Sequence, residues 1–245
     1  MDPIVITKVS LADLGDMRKT FLAIVDNQFT YDKCHLYGWA DTYLFKINGT
    51  IAGYGSVWGK DKREDRDSIF EFYLELPFRN EAHDFFRKFI EISKVEWIEC
   101  QSNDPFLSEM FFEFTNGIYA EAILFEDDFD SSISIDGAQL EAVETPESSR
   151  INKEYVIKHN NETVAKGGLL LNYNFPYADI YYSVEEEHRR KGFGSFFVQE
   201  LKKEAYRIGR VPAARTNINN IISKRTMIKA GLKPCGWRLG GKIRK

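Results

Sequence analysis

A short basic segment that contains two glycines carries the clearest chemical signal in the chain. It reads Arg189-Arg190-Lys191-Gly192-Phe193-Gly194-Ser195 and lies between a strand-like run at 179–184 and a helix-like run at 196–206. A turn at a helix N-terminus gathers backbone N–H groups and the positive end of the helix dipole. Gly192 and Gly194 let the backbone take unusual dihedral angles and let an anion approach without a Cβ atom in the way. The segment therefore predicts a phosphate site, although a basic surface turn would have the same composition.

A second segment has the residues expected at both ends of a helix. Asn220 is suited to an N-cap, with Ser223 three residues later. Gly231, between Ala230 and Leu232, is suited to the left-handed position that ends a helix. This pattern predicts a helix over about 221–230, one helix and one strand after the glycine segment.

Together the two segments resemble the acyl-CoA-binding part of the GNAT superfamily of N-acyltransferases, over residues 155–237. The resemblance implies acetyl-CoA as co-substrate, with its pyrophosphate on the loop that starts at Arg189 and its pantetheine arm paired with the backbone near Val184. Asn220 and Ser223 would line the other wall of the cleft. The full set that the resemblance implies for cofactor binding is Val184, Glu185, Glu186, Arg189, Arg190, Lys191, Gly192, Phe193, Gly194, Ser195, Asn220 and Ser223.

The resemblance also implies direct transfer of acetyl from the thioester to an amine. The backbone N–H of Val184 is the candidate for polarising the carbonyl group. Asp179 is the candidate base, although it also suits the plain start of a strand. Many relatives carry a tyrosine as general acid where this chain has Met227, so Tyr182, or its neighbour Tyr181, would have to replace it. Strand tyrosines also serve as packing residues.

The first half of the chain repeats the pattern of the second. A hairpin signal around Asn48-Gly49 recurs around Asn160-Asn161, about 112 positions later. A shift of 111 positions aligns Phe85-Phe86 with Phe196-Phe197 and places Glu81 and His83 where Gly192 and Gly194 lie. Glu81 would bring negative charge to the place of a pyrophosphate, which opposes binding. The first half is therefore interpreted as a second GNAT-type module that has lost its phosphate loop.

These observations predict an α+β fold with tandem GNAT-like mixed β-sheets flanked by helices. We expect a degenerate domain at 1–130, a linker at 131–150 and the acetyl-CoA-binding domain at 151–245. The linker includes a short strand at Ile133–Ile135, an Asp136-Gly137 turn and an exposed stretch at Thr145–Ser149. The second half shows no copy of the first strand and paired helices that precede the hairpin in this fold.

Charge is divided unevenly between the two halves. Residues 1–150 hold 14 Lys and Arg against 29 Asp and Glu, whereas residues 151–245 hold 19 against 8. A basic half suits a polyanion such as coenzyme A, and it would also suit a nucleic acid. The acidic half could attract a cationic amine, or the two halves could simply complement each other. Because the nucleic-acid alternative leaves Gly192, Gly194 and Asn220 unexplained, we expect no nucleic-acid partner.

Bulk composition is that of an ordinary globular protein, with 43% hydrophobic and 29% charged residues. No signal peptide or membrane-length apolar run is evident, so we expect a cytoplasmic protein with no membrane partner. Three scattered cysteines and four histidines without metal-ligand spacing predict reduced thiols and no metal. They are Cys34, Cys100, Cys235, His35, His83, His159 and His188. The oligomeric state stays open, with a homodimer among the options.

The expected function is acetyl-CoA-dependent N-acetylation of a primary amine in a ternary complex, with a small molecule preferred over a protein N-terminus or lysine. The alternative is an acetyl-CoA-binding regulatory protein without catalysis, which Met227 and the uncertain base favour. The acceptor and the acyl chain length cannot be read from the sequence.

Overall fold

A computed structural model describes residues 4–25, 28, 31–143 and 151–244. The chain forms two compact units, the first made of Met1–Glu121 with Trp237–Lys245 and the second of Ala122–Gly236. The predicted exposed stretch Thr145–Ser149 lies outside the described residues, and the predicted domain limits at 130 and 151 stay predictions. The described residues form twelve strands and six α-helices, in agreement with the α+β class.

The first unit holds the elements that follow in chain order. They are β1 (Ile4–Val9), α1 (Met17–Ile24), α2 (Tyr31–Leu36), β2 (Ala40–Ile47), β3 (Thr50–Trp58), β4 (Ser68–Leu74), α3 (Ala82–Ser93), β5 (Trp97–Gln101) and α4 (Pro105–Phe114). Its sheet has the order β1-β2-β3-β4-β5 and is completed by the end of β12 (Leu232–Ile243), whose residues 238–242 pair antiparallel with β5.

The second unit follows from β6 (Thr115–Asp127), within which the chain passes from one unit to the other. Its further elements are β7 (Ala138–Ala142), β8 (Asn152–His159), β9 (Glu162–Leu170), β10 (Tyr177–Val184), α5 (Phe193–Arg207), β11 (Val211–Asn217) and α6 (Ile221–Lys229). The strand order in this unit is β6-β11-β10-β9-β8-β7, with β10 and β11 parallel and the other neighbours antiparallel.

The two predicted hairpins share one turn type. Asn48 and Gly49 have φ of +52° and +77°, and Asn160 and Asn161 have φ of +50° and +65°. Two consecutive positive φ angles define the type I′ turn, whose twist matches that of the flanking strands. Asparagine and glycine tolerate this conformation best, which is why the hairpins could be located from sequence.

The expectation of a strand at Ile133–Ile135 was wrong, because the strand in this region is β7. It pairs antiparallel with β8, from Ala138 opposite His159 to Ala142 opposite Tyr155. In the first unit β1 pairs with β2 in the same way, so the second unit does have a counterpart of the first strand. The predicted turn at 136–137 is present, with φ of +70° at Gly137.

Each unit packs its long helix on one face of its sheet. In the first unit Phe85, Phe86 and Phe89 of α3 are fully buried, which confirms the core predicted from their helical spacing. In the second unit, α5 contributes Phe193, Phe197, Val198 and Leu201 to an equivalent core. These apolar faces are what fixes α3 and α5 on their sheets.

On its other face, the first unit closes around a buried carboxylate. Glu71 of β4 is 0% exposed and accepts from Arg18 of α1 at 3.2 Å and from His35 of α2 at 3.0 Å. Arg18 also pairs with Asp32 of α2 at 2.7 Å. Burial opposes the charged carboxylate, but the positive charge of Arg18 and the hydrogen bond from His35 outweigh it and lower the pKa of Glu71 to about 2. Glu71 therefore ties both short helices to the sheet.

We expect Glu71→Gln to lower the free energy of unfolding by about 3 kcal/mol, because it leaves the Arg18 charge buried with half of its partners. Urea unfolding at pH 7, followed by circular dichroism, measures this. The contribution of the carboxylate is present above the unfolded pKa of about 4.3 and is lost as the pH falls toward 2. The difference between the two proteins should therefore shrink at low pH.

The control is Glu113→Gln, which removes a carboxylate that pairs with His83 at 2.8 Å in the same unit but is 47% exposed. Such a pair contributes about 0–1 kcal/mol. Equal losses in the two variants would contradict the role given to Glu71.

Candidate functional site

The second unit contains a gap between two parallel strands. β10 and β11 pair over only four positions, from Tyr177 opposite Val211 to Ile180 opposite Ala214. Beyond this point β10 continues to Val184 beside β9, and β11 continues to Asn217 beside β6. The two strands therefore diverge after Ile180 and Ala214. Beyond these residues, the backbone N–H and C=O groups on the facing edges do not pair across the two strands.

The direction of the β10 backbone decides which groups face this gap. Glu185 donates its N–H to the carbonyl of Val164 on β9 at 3.0 Å. Because N–H direction alternates along a strand, the N–H groups of Tyr182 and Val184 point the other way, into the gap. The N–H of Glu185, predicted to pair with pantetheine, is already used within the sheet. Sequence reasoning missed the backbone of Tyr182, since strand direction depends on a partner far along the chain.

A tight turn joins β10 to α5. It begins with a 3₁₀ helix at Glu186–His188, and Arg190 and Gly192 both take left-handed conformations with φ of +64° and +93°. The Nε of Arg189 donates to the carbonyl of Val184 at 3.2 Å, which fastens the turn to the end of the strand. Glycine at 192 fits because L-residues are strained there.

The first turn of α5 presents backbone donors. The first hydrogen bond into the helix runs from the N–H of Phe196 to the carbonyl of Gly192 at 3.1 Å. Within the described chain, the N–H groups of Phe193, Gly194 and Ser195 donate to no backbone carbonyl. Gly192 precedes them as a cap that offers no side chain. An anion is the natural partner of such a helix end.

Gly194 lies where α5, α6 and β10 pack closely. A Cβ atom there would lie 3.2 Å from Cγ2 of Thr226 and 3.3 Å from Cε2 of Tyr182. Both distances are tight for a carbon contact. The missing side chain therefore lets α5 approach α6 and β10 closely.

Both predicted ends of α6 are confirmed. Asn220 caps the helix, since its Oδ1 accepts from the N–H of Ser223 at 3.0 Å. Gly231 follows the last turn with φ of +87°. Lys202 of α5 is only 3% exposed and donates to the carbonyls of Ala230 and Gly231 at 3.1 Å each, so it holds the C-terminal end of α6. The sequence alone gave no signal for this lysine.

Tyr182 connects β10 to α6. Its hydroxyl lies 3.5 Å from Oγ of Ser223, and Met227, one turn further along α6, is buried. Residues four apart lie on the same side of a helix, so the hydroxyl of Tyr182 reaches the side of α6 that carries Met227.

Positive charge surrounds the turn. Arg189, Arg190 and Lys191 are exposed, as is Arg225 on α6. The carboxylate of Glu185 is paired with Lys166 at 3.2 Å, and that of Glu186 is exposed. The loop surface therefore favours an anion.

The opposite face of the sheet carries an acid–base pair. Ile180 and Ala214 belong to the α5 core, so Asp179 and Arg215 project from the other face. The side chain of Asp179 is 5% exposed and pairs with Nη2 of Arg215 at 3.4 Å. Nη2 also donates to the hydroxyl of Tyr173, and the guanidinium lies 4.9 Å from that ring centroid. Arg215 and Tyr173 were not identified from sequence.

The first unit has the same turn in a shorter form. α3 begins at Ala82 and α5 at Phe193, which confirms the predicted shift of 111 positions and places Glu81 where Gly192 lies. Nε of Arg79 donates to the carbonyl of Leu74 at 3.3 Å, as Arg189 does to Val184. However, α3 starts three residues after Arg79, whereas α5 starts four residues after Arg189. Glu81 has φ of −97°, and no residue from 75 to 82 takes a positive φ.

In the first unit, aromatic side chains pack together where the two parallel strands diverge. β4 and β5 pair only from Ser68 to Ile69 and then diverge. Phe106 of α4 stacks on Phe72 of β4 with ring centroids 5.3 Å apart, and the guanidinium of Arg79 lies 5.4 Å from the Phe106 ring. These contacts take the place of the Tyr182–Ser223 contact of the second unit.

One group in the described chain brings three potential metal ligands together. Atoms of Glu162, Glu187 and His188 lie within 4.8 Å of one another. Both carboxylates are exposed, and His188 lies 3.5 Å from Glu162.

Comparison with known proteins identifies the family. The sequence model described as "Acetyltransferase (GNAT) family" matches residues 109–231, half of the chain. The chain belongs to the GNAT acetyltransferase family, whose general activity is acyl-CoA-dependent acetyl transfer. No curated protein sequence matches it. No helix in the described ranges is long and apolar enough to cross a membrane.

Solved structures share the fold at low sequence identity. A GNAT-family acetyltransferase from Colwellia psychrerythraea has a TM-score of 0.78 and 16% identity, over 98% of this chain and 100% of that chain. A tandem GNAT protein from the clavulanic acid biosynthesis pathway, solved without acetyl-CoA, has a TM-score of 0.63 and 10% identity, over 99% of each chain. A GCN5-related N-acetyltransferase from Sphaerobacter thermophilus has a TM-score of 0.59 and 12% identity, over 100% of this chain and 98% of that chain.

The packing at Gly194 gives a test of the site's geometry. We expect Gly194→Ala to lower the free energy of unfolding by about 1–2 kcal/mol, because the new methyl group must displace Thr226 or Tyr182. Thr226→Ser removes the nearer methyl, so the double variant should recover part of the loss. Thermal or urea unfolding of the four proteins measures the coupling, and strictly additive effects would contradict the proposed contact.

Proposed function

We propose that this protein is an acetyl-CoA-dependent N-acetyltransferase whose second unit binds the co-substrate and acetylates a primary amine of a small molecule. The observation that carries the proposal is the pairing, in one unit, of a diverging strand pair with a helix N-terminus that follows a glycine turn. The first unit has the same frame, but aromatic side chains pack together where its strands diverge and its turn is shorter. We assign cofactor binding to the second unit alone.

The proposed binding residues follow from the groups available in the second unit. Backbone N–H groups at the start of α5 and the exposed cations of the turn would hold the pyrophosphate. The N–H groups of Tyr182 and Val184, which point into the gap, would bind the pantetheine arm and polarise the thioester carbonyl. Asn220 and Ser223 would border the other side. Acetyl-CoA supplies the activated acetyl group.

The transfer needs two protons to be removed from the nitrogen and one to be supplied to the sulfur. The ammonium loses one proton to become the attacking amine, its nitrogen forms a bond to the acetyl carbon and loses a second proton, and the carbon–sulfur bond breaks as the thiolate gains one, so that one proton is released overall. Tyr182 is our candidate donor, since its hydroxyl reaches the side of α6 where Met227 lies. Asp179 is our candidate acceptor, since its carboxylate lies on the face from which an acceptor can reach the gap and pairs there with Arg215.

Titration of acetyl-CoA into the wild type and into Gly192→Glu by calorimetry tests the cofactor site. We expect micromolar binding to the wild type and a loss of about a hundredfold or more in the variant, because a carboxylate would face the phosphates. This substitution also reproduces the residue that the first unit has at Glu81.

The matched control is Gly209→Glu, which places the same charge at another glycine of the second unit with φ of +73° and open space around it. It should bind acetyl-CoA like the wild type. No binding to the wild type would refute the enzyme proposal, and equal loss in both variants would refute the location of the site.

A second test concerns the proton donor. We expect Tyr182→Phe to lower kcat by about a hundredfold, with unchanged acetyl-CoA affinity, because proton transfer from a positioned group contributes about 10²–10⁴. Free-thiol release with an accepted amine measures the rate. Tyr181→Phe is the control, since the Tyr181 side chain lies on the other face of β10 near Gly168.

Met227 gives the regulatory alternative its own support, since a buried methionine cannot donate a proton. That alternative predicts acetyl-CoA binding without turnover of any amine. A wild-type rate that Tyr182→Phe leaves unchanged would instead assign the proton to another group or to water.

A further inference from the structure

Arg215 occupies a distinctive place at the point where β10 and β11 diverge. The last paired positions are Ile180 and Ala214, so Arg215 is the first residue of β11 beyond the ladder. Its side chain lies on the face opposite α5. Under the proposed function, on which this inference rests, the thioester lies in the gap and the α5 face is filled by Tyr182, Val184 and Met227. An acceptor must therefore approach from the face that carries Arg215.

The guanidinium of Arg215 is held in a fixed orientation and is still accessible. The buried carboxylate of Asp179 and the buried ring of Tyr173 both contact it. The Arg215 side chain is 26% exposed, against 5% for Asp179. An arginine restrained in this way has lost most of its side-chain freedom before any ligand arrives, which lowers the entropic cost of binding.

The fold itself does not require a cation at this position. In the first unit the last paired positions are Ile69 and Ile98, so the equivalent residue is Glu99. Glu99 is 12% exposed and accepts from Arg238 at 2.7 Å. Two units with the same strand geometry thus carry opposite charges here, so the strand geometry alone does not determine the charge at this position.

We propose that Arg215 binds a carboxylate group of the acceptor, so that the substrate class is amines that also carry a carboxylate, such as amino acids. A planar guanidinium matches a carboxylate in shape and charge. Asp179 and Arg215 together form a neutral pair with one negative and one positive end. A zwitterion that presents an ammonium and a carboxylate complements both ends, whereas a simple amine complements only the Asp179 end.

The test compares ligands that differ only in the carboxylate. A panel of amino acids and their carboxamides is titrated by calorimetry into the protein saturated with coenzyme A, and again into the protein alone. We expect at least one amino acid to bind about tenfold or more tighter than its amide, and Arg215→Gln to bring that ratio close to one. The affinity for coenzyme A should stay the same.

Two further variants make the result specific. Arg210→Gln removes another arginine of the second unit that stacks on an aromatic ring, 4.9 Å from the Phe175 centroid, and should keep the wild-type ratio. Arg215→Lys keeps a cation beside Asp179, so it serves if Arg215→Gln does not fold, and it should lower the ratio several-fold because the planar fork is lost.

Three results would overturn the inference: amides that bind as tightly as acids, a ratio that survives both substitutions at Arg215, or no binding by any amine that carries a carboxylate. Failure of the proposed function is seen separately, as no binding of coenzyme A in the same titrations. In that case, the ratio of amino-acid affinity to amide affinity, measured without coenzyme A, still decides the role of Arg215.

Discussion

The divergence of two parallel strands is the constraint on which the rest of each unit depends. Where β10 and β11 separate, backbone groups leave the ladder, and buried backbone groups without partners are costly. In both units, pairing with the neighbouring strand leaves alternate N–H groups of the diverging strand facing the gap, since Glu75 donates to Ala52 just as Glu185 donates to Val164. In the first unit Phe72 and Phe106 stack on each other where the strands diverge. A strand-like ligand arm is the partner that such an edge accepts best.

A change of one residue in length separates the two turns that follow these strands. Arg79 and Arg189 make the same bond to the strand end, so this arginine serves the fold first. After it, the second unit has one residue more and two left-handed positions, Arg190 and Gly192. The extra residue allows the turn to present the donors of the next helix, while Glu81 brings a carboxylate to that place. The two turns thus differ while the surrounding sheet geometry stays the same.

The sequence was sufficient wherever the controlling interaction is local. The hairpins, the Asn220 cap and Gly231 each depend on residues within one turn, and all were predicted correctly. The start of α5 was not, since the helix begins at Phe193 and not at 196. β7 was misplaced because its position is set by pairing with β8, the strand that follows it, and not by its own residues. The use of the Glu185 N–H and the meeting of Asp179 with Arg215 also depend on strand register. Such pairings have no signal in local composition.

The faces opposite the long helices differ between the two units in what covers their charged residues. In the first unit α1 and α2 cover that face, and Glu71 is buried beneath Arg18 and His35. In the second unit Asp179 of β10 pairs with Arg215 of β11, whose side chain is 26% exposed. A buried carboxylate thus has a largely buried arginine partner in one unit and a more accessible one in the other. The proposed recognition of a carboxylate depends on that difference.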